Sequence, residues 1–393
     1  MKSLRSMLRG NIRQYAMIIA FIVVAIIFEF LTKGILLQPL NISNLIQQNA
    51  YVMILATGML LCILTMGNID LSVGSVVGFV GAISAILILK MDVPVWIALI
   101  ISLLVGFVIG IWHGWWIAYI GVPAFIVTLA GLLIFRGLTM TALGGLSLAP
   151  LPDSYTFLAA GFIPDFVQFQ LFGKAFNLLA FLAGTVATIL FIINEISKRR
   201  NRRKYNFEVP VFWIFALKIV LISLVIMSFT YALSVYRGIP MVLVIVVALV
   251  LIYSFVTNKT IPGRHIYAFG GNPKAARLSG IKTKKVLFWV YVNMGVLAAL
   301  AGIVFTGRLN SATPKGGYGF ELDAIAACFI GGASTTGGVG TVIGAIVGGL
   351  LMGVLNNGMA IMGVPIDLQQ TIKGLVLLIA VGFDVVSKAK SKV

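Results

Sequence analysis

Long apolar runs separated by short polar breaks make up most of this chain. Each run holds roughly 20 residues, the length at which an α-helix crosses the hydrocarbon core of a bilayer. Ten spans are predicted, at 15–32, 50–66, 71–89, 95–119, 124–143, 174–194, 209–233, 240–257, 285–306 and 368–386. Two shorter crossings are predicted at about 322–333 and 338–357. The pattern therefore predicts an all-α polytopic integral membrane protein of about 10–12 transmembrane helices, with residues 1–393 forming a single membrane-spanning domain.

The segment 321–349 differs from the other spans, because it holds eight glycines and is interrupted by polar residues. Its residues 338–347, GVGTVIGAIV, align with SVGSVVGFVG at 72–81. A short apolar run, a polar break and a small-residue helix therefore occur twice. Such repeats with broken helices are typical of transporters, whose pathway runs between the two halves. We predict an internal repeat with broken helices around a translocation path.

Polar or small residues at the two breaks are the candidate lining of this path and its gate. The candidates are Asn68, Asp70, Ser72, Gly74, Glu321, Asp323, Ser334, Gly338 and Gly340. The three carboxylates have an alternative role, because an acidic side chain at a helix N-terminus caps free N–H groups and interacts favourably with the helix dipole. Both copies of the repeat are expected to turn near the cytoplasmic face of the membrane. This position favours a gate on the cytoplasmic side over a substrate site on the outer side.

Composition and charge support the membrane assignment. Hydrophobic residues make up 60% of the chain and charged residues 10%, with a mean hydropathy of +1.08, more than one soluble core can bury. Four clusters beside span ends hold 20 of the 29 Lys and Arg residues: Lys2, Arg5, Arg9 and Arg13; 198–204; 259–285; and Lys388, Lys390 and Lys392. The positive-inside rule places all four in the cytoplasm, together with both termini. The net charge of +18 therefore reports topology, and no nucleic-acid partner is expected.

Motifs for catalysis are missing from the sequence. It contains no G-x-x-x-x-G-K-[ST], G-x-S-x-G or H-E-x-x-H segment. Neither His113 nor His265 has a metal-ligand partner at helical spacing, and Cys62 and Cys328 lie in apolar spans as small packing residues. We therefore expect no enzyme activity, no cofactor and no metal.

Ion coupling usually requires ionisable groups at bilayer depth. The candidates in this chain are Glu29, Arg136, Lys218 and Lys373, for which a structural anchoring role is favoured. An ion-coupled carrier therefore remains open but is poorly supported.

The segment 258–285 carries the signals of a short helix within a cytoplasmic loop. Asn272 suits the N-cap, Pro273 the first helical position and Gly280 the position after the helix. These residues predict a helix over 273–279 between glycine joints. Such an element fits docking of a cytoplasmic partner, whereas a basic loop resting on anionic lipid headgroups is the alternative.

Four separated segments carry a family resemblance. LTMGNIDLSVGS (64–75), VPAFIVTLAGLLIFRGL (122–138), PGRHIYAFGGNPKAARLSGI (262–281) and ELDAIAACFIGGASTTGGVGTVIGA (321–345) resemble the ribose/xylose/galactose-type sugar ABC transporter permeases. NMGVLAALAG (293–302), RLNSA (308–312) and NNGMAIMGV (356–364) are most similar to the multiple-monosaccharide and xylose-type members. The resemblance covers nearly the whole chain.

The resemblance implies the permease subunit of a binding-protein-dependent importer for xylose, galactose, arabinose or a similar aldose in the bacterial plasma (inner) membrane. It implies a tandem-domain ATPase subunit inside, an extracytoplasmic sugar-binding protein outside and a homodimer. By resemblance, the loop 258–285 is the ATPase-coupling element, with candidates Gly271, Asn272, Ala275, Ala276, Arg277, Ser279 and Gly280. Shorter ribose-type relatives lack a counterpart of residues 155–235, which are therefore expected to be a two-helix insertion.

A neutral polyhydroxylated substrate calls for hydroxyl and amide partners with aromatic stacking. The candidate sugar contacts are Gln47, Asn49, Phe125, Asn293 and Asn310, chosen by their position in spans or near external span ends. Two other functions stay open, namely a branched-chain amino acid permease of the same broad class and a stand-alone carrier.

Overall fold

The computed structural model describes residues 17, 19–165, 168–171, 174–207, 209 and 211–391. The basic residues Lys2, Arg5, Arg9, Arg13 and Lys392 of the predicted terminal clusters lie outside the described residues.

Helices account for most of the described chain. They are α1 (Ile19–Leu31), α2 (Pro39–Leu64), α3 (Val73–Leu89), α4 (Val95–Trp115) with a π-helical turn (Trp116–Ile120), α5 (Ala124–Leu143), α6 (Asp153–Ala160), α7 (Leu178–Lys204), α8 (Phe212–Tyr236), α9 (Met241–Lys259), α10 (Ile261–Gly271), α11 (Pro273–Leu278), α12 (Thr283–Leu309), α13 (Phe320–Ile330), α14 (Val342–Ile361) and α15 (Ile366–Ser391). Strands β1 (Gln168–Leu171) and β2 (Lys174–Asn177) form one short antiparallel pair, which was not predicted. The predicted all-α polytopic class is confirmed.

Eight helices of the described residues are long and apolar enough to cross a membrane: α2, α4 with its π-helical turn, α5, α7, α8, α9, α12 and α14. The helices α1 and α3 are shorter but apolar. With 11 residues, α13 is roughly 16 Å long and crosses only about half of the hydrocarbon core. A broken crossing therefore precedes α14, as the glycine-rich pattern predicts.

The start of α2 differs most from the predicted spans, since the helix begins at Pro39 rather than at residue 50. Its first three turns carry polar side chains, and a search for apolar runs therefore does not include them in the span. Asn41, Ser43, Gln47 and Asn49 are all buried. These side chains face protein rather than lipid, so the helix needs no apolar run there.

Chain contacts divide the protein into two compact units. The smaller unit contains residues 37–44 and 162–240, in which α7 packs against α8 and β2 also contacts α8. The basic run 198–204, predicted as a cluster beside a span end, forms the last turns of α7. The bounds of this unit lie close to those of the predicted insertion, which stays a prediction, as does the single-domain expectation.

The larger unit is organised around α12, which packs against α3 and α4. Glycines allow the backbones of α4 and α12 to touch. A Cβ atom at Gly106 would lie 2.5 Å from the Gly295 carbonyl oxygen, and one at Gly110 would lie 2.7 Å from the Val292 carbonyl oxygen. Such close approach through small residues is a common way to associate helices in lipid. A second group of contacts joins α13 to α14 and α15.

Candidate functional site

Each glycine-rich helix is preceded by a non-helical break, residues 65–72 before α3 and 331–341 before α14. The breaks contain backbone conformations that favour glycine, with φ at +74° for Gly67 and +70° for Gly338. The two copies differ in one respect. Val73 starts α3, whereas Val339, its partner in the sequence alignment, remains in the break. The repeat therefore preserves the order of elements but not every residue position.

The two breaks are in direct backbone contact. The Gly338 N–H donates a hydrogen bond of 3.0 Å to the carbonyl oxygen of Leu64, the last residue of α2. A Cβ atom at Gly67 would overlap the Thr335 carbonyl oxygen. The two breaks therefore pack against each other through backbone atoms, with no side chain between them.

The end of α10 contacts both breaks at once. A Cβ atom at Gly270 would overlap the Leu64 carbonyl oxygen and lie 2.6 Å from the Gly338 nitrogen. The Tyr267 hydroxyl donates a hydrogen bond of 2.7 Å to the Gly340 carbonyl oxygen. Burial raises the pKa of Tyr267, so its hydroxyl stays protonated and remains a donor at neutral pH. We call the three contacting segments, residues 64–67, 267–271 and 335–340, the junction.

The helix α11 follows α10 directly and matches the predicted docking helix within one residue. The Asn272 side chain accepts a hydrogen bond of 3.0 Å from the Ala275 N–H and caps α11, while Gly280 adopts a φ of +83° after it. Gly271, expected in the glycine joint before the docking helix, is instead the last residue of α10. The unpredicted α10 begins at a Thr260 cap, so the joint is reduced to Asn272 alone.

The predicted coupling residues are mostly exposed. Ala276 is buried, whereas the other six lie on the surface: Gly271, Asn272, Ala275, Arg277, Ser279 and Gly280. Sequence reasoning missed Leu278, whose 89% exposure is unusual for a large apolar residue. The one available signal was its position: Leu278 lies on a six-residue helix whose Ala276 side chain is buried.

Three gate candidates of the first break make local hydrogen bonds. The Asp70 carboxylate accepts from the Ser72 N–H at 2.9 Å and from the Ser72 hydroxyl at 2.6 Å. The Asn68 amide donates to the Thr65 carbonyl oxygen at 2.7 Å. Ser72 itself is the N-cap residue of α3, so Asp70 shapes the turn that leads into the helix. In the second break, the Ser334 hydroxyl contacts that of Thr336 at 2.9 Å.

Glu321 and Asp323 lie in the first turn of α13, at the opposite end of this helix from the second break. Asp323 is buried, with Lys373 Nζ of α15 at 3.1 Å from its Oδ1 atom and the Tyr51 hydroxyl donating at 3.0 Å to Oδ2. Asp323 thus belongs to a buried ion pair that connects α2, α13 and α15. The structure does not bring these two carboxylates to the junction.

A polar group around Glu321 was not predicted as a unit. Glu321 is buried beside Gly74 of α3, where a Cβ atom would overlap its Oε2 atom. This oxygen has no hydrogen-bond partner among the described residues. Arg136 attracts the carboxylate electrostatically and places its guanidinium 4.6 Å from the centre of the Tyr318 ring. Tyr318 could not be identified from sequence, because the contact joins positions far apart in the chain.

Four of the five candidate sugar contacts are amides with hydrogen-bond partners within the protein. The Gln47 amide donates to the Ala160 carbonyl oxygen at 3.3 Å, and that of Asn49 donates to the Leu45 carbonyl oxygen at 2.9 Å. Phe125 is 60% exposed on α5.

The remaining two amides also have structural partners. The Asn310 Oδ1 atom accepts from the Leu151 N–H at 2.8 Å, and Asn293 accepts from the Tyr253 hydroxyl. The four amides are therefore held by the fold, and the sugar-contact role of the five residues stays a prediction.

The fold and the junction define a polytopic α-helical membrane transport protein built on broken helices. Within the described residues, no group of three or more His, Cys, Asp or Glu side chains could hold a metal ion.

Comparison with known proteins identifies the family. The sequence model of the family described as "Branched-chain amino acid transport system / permease component" matches residues 41–381, and the chain belongs to this family. The xylose transport system permease protein XylH of Haemophilus influenzae is 38% identical over 380 residues, covering 97% of this chain and 98% of the relative. The XylH protein of Escherichia coli is 36% identical over 381 residues, covering 97% and 94%.

A third relative is the ribose import permease protein RbsC of Bacillus subtilis, 34% identical over 375 residues, which cover 95% of this chain and 94% of the relative. No solved structure matches the chain significantly. The resemblance to ribose- and xylose-type permeases, recognised from the four sequence segments, is confirmed. The chain is a permease component rather than an enzyme, and a multi-pass protein of the bacterial inner membrane.

Proposed function

We propose that the chain is the membrane-spanning permease subunit of a binding-protein-dependent ABC importer for a monosaccharide, with xylose or a related aldose as substrate. The relatives that match nearly its whole length are named xylose and ribose permeases. The description of the family names branched-chain amino acids, which are therefore the alternative substrate class. The partners in this proposal are a tandem-domain ATPase subunit inside, an extracytoplasmic sugar-binding protein outside and a second copy of the chain, with both termini cytoplasmic.

The observation that carries the mechanism is the contact of α10 with both breaks. The exposed α11 is joined to α10 through Asn272 alone, and α10 ends with Gly270 packed against Leu64 and Gly338. A displacement of α11 would therefore be passed to both breaks through tightly packed backbone atoms. Movement of the ATPase would open or close the cytoplasmic gate by this route, and sugar would pass by alternating access.

Reconstitution separates the candidate functions. Proteoliposomes that contain the chain, its ATPase and its binding protein should take up labelled xylose or another aldose in an ATP-dependent manner. ATP-dependent uptake of leucine instead would show the branched-chain amino acid permease. Uptake by the chain alone, driven by an ion gradient, would show the carrier.

Charge reversal on α11 is expected to uncouple the importer. Arg277→Glu should leave membrane insertion intact but lower sugar-stimulated ATP hydrolysis by ~10-fold or more, because the glutamate would meet a like charge on a docking surface complementary to Arg277, and such contacts cost several kcal/mol. Leu278→Asp should act in the same direction, since burial of one leucine side chain contributes about 1.5–3 kcal/mol. ATPase rates of the assembled complex with and without sugar-loaded binding protein measure both effects.

The matched control is Arg202→Glu, which reverses an exposed charge at the end of α7. Its stimulated ATPase rate should equal that of the wild type. Unchanged stimulation in both α11 variants would show that the ATPase docks elsewhere.

A further inference from the structure

A groove lies between α9, α10 and α12 of the larger unit, with a volume of about 580 Å³. Most of its lining is apolar, and the side chains include Leu61, Ile252, Val256, Ile266, Val286 and Trp289. Ile252 is 55% exposed and Trp289 is 50% exposed, so the groove is open to the surface along these two helices. Both helices are long and apolar enough to cross a membrane, and this opening therefore faces lipid.

One end of the groove is strongly basic. Lys282, Lys285 and His265 contribute to its lining, and both lysines are exposed. Among the described residues that line the groove, none is acidic, and the sequence has no Asp or Glu between Glu208 and Glu321. No lining carboxylate therefore neutralises the two lysines, and their charge is available to an anionic ligand.

The basic end and the apolar wall lie at different membrane depths. The span α9 ends at Lys259 and the span α12 begins at Thr283, so the lysines lie at the membrane–water boundary. The groove follows α12 from there to Asn293, a distance of roughly 15 Å along the helix axis. That length reaches about half of the hydrocarbon core, which is one leaflet. Charge at the boundary and an apolar channel one leaflet long match a phospholipid.

We propose that this groove binds one anionic phospholipid of the cytoplasmic leaflet. Its phosphate lies against Lys282 and Lys285, and an acyl chain lies along Ile252 and Trp289 towards Asn293. Basic pockets between transmembrane helices on the cytoplasmic side are favourable sites for anionic headgroups. A protein segment would have to bring its own acidic group to the boundary and an apolar surface into lipid depth. This inference does not depend on which solute the permease transports.

Native mass spectrometry of the purified protein tests the proposal, with phosphatidylglycerol and phosphatidylcholine of identical acyl chains as probes. The wild type should retain one phosphatidylglycerol and release phosphatidylcholine. The double variant Lys282→Ala/Lys285→Ala should bind phosphatidylglycerol ~10-fold more weakly or worse. The control Lys198→Ala/Arg202→Ala removes two charges from the end of α7 and should bind like the wild type. Equal retention of both lipids, or full retention by the double variant, would overturn the proposal.

A second readout reports on the acyl chain and does not depend on the lysines. Phosphatidylglycerol with brominated acyl chains should quench the fluorescence of Trp289, and Trp289→Phe should lose that part of the quenching. Thermal melting of each variant in detergent establishes that it is folded. If the double variant loses dimer formation or ATPase binding while its lipid retention is unchanged, the groove holds a protein surface and the lipid proposal is wrong.

Discussion

Gly270→Ala is expected to reduce ATP-dependent uptake to background, which is the largest functional effect that we expect from a glycine-to-alanine substitution at the described glycines. The added Cβ atom would overlap the Leu64 carbonyl oxygen and lie 2.6 Å from the Gly338 nitrogen. Both are backbone atoms, so no side chain can rotate away. The end of α10 must move instead, and the hydrogen bond between Gly338 and Leu64 is then strained. Uptake and stimulated ATP hydrolysis in proteoliposomes measure the loss.

Overpacking of this kind usually costs about 1–3 kcal/mol of stability, so folding must be measured alongside transport. Gly137→Ala in α5 is the matched control, because a Cβ atom there meets no atom within 4 Å. It should transport like the wild type. Tyr267→Phe adds no bulk, removes only the hydrogen bond to the Gly340 carbonyl oxygen and should lower uptake less than Gly270→Ala. Normal coupling in a folded Gly270→Ala protein would show that the junction does not transmit movement.

Local signals predicted the local structure well. The span 124–143 coincides with α5, and the cap at Asn272 and the glycine at position 280 delimit α11 within one residue. These features depend on neighbouring residues alone: an apolar run long enough to cross lipid, or a side chain that reaches a free N–H three residues away. The start of α2 was missed because its polar residues are buried by other helices, and one sequence carries no local sign of that burial.

The candidate site was predicted only in part, because local sequence signals mark some of its features and not others. The breaks at 65–72 and 331–341 were recognisable because glycines and polar residues interrupt apolar runs. Their contact with each other and with α10 joins residues about 70 to 270 positions apart, which periodicity cannot show. The sugar-contact candidates were chosen by depth, which does not indicate which face of a helix a side chain occupies, and their role stays a prediction.

The ion pair between Asp323 and Lys373 is the clearest long-range feature that the sequence did not indicate. A structural anchoring role was favoured for Lys373 and a gate or capping role for Asp323, but nothing in the sequence paired the two residues. The Lys373 ammonium lies 3.1 Å from a carboxylate oxygen of Asp323, whose side chain is only 1% exposed. The pair fastens α15 to α13, and the Tyr51 hydroxyl extends it to α2.

Lys373→Met is therefore expected to give the largest loss of stability among single substitutions of exposed or half-buried residues. Methionine keeps the apolar stem but leaves the Asp323 carboxylate buried without a cation, a change that typically costs about 3–5 kcal/mol. Thermal melting in detergent should show a markedly lower midpoint. Lys198→Met near the end of α7 is the control: its Nζ lies 3.2 Å from a carboxylate oxygen of Glu195, but the lysine side chain is 62% exposed beyond the predicted span, and such surface pairs contribute about 0–1 kcal/mol.

The double variant Asp323→Asn/Lys373→Met separates charge from packing. Asparagine can still hydrogen-bond to Tyr51 but carries no charge, so the cost of an unpaired buried carboxylate disappears and most of the lost stability should return. If the double variant melts as low as Lys373→Met, the loss comes from the packing of the Lys373 stem rather than from the charge. If Lys373→Met melts like the wild type, the carboxylate is protonated or solvated in the membrane, and the pair does not hold α15 in place.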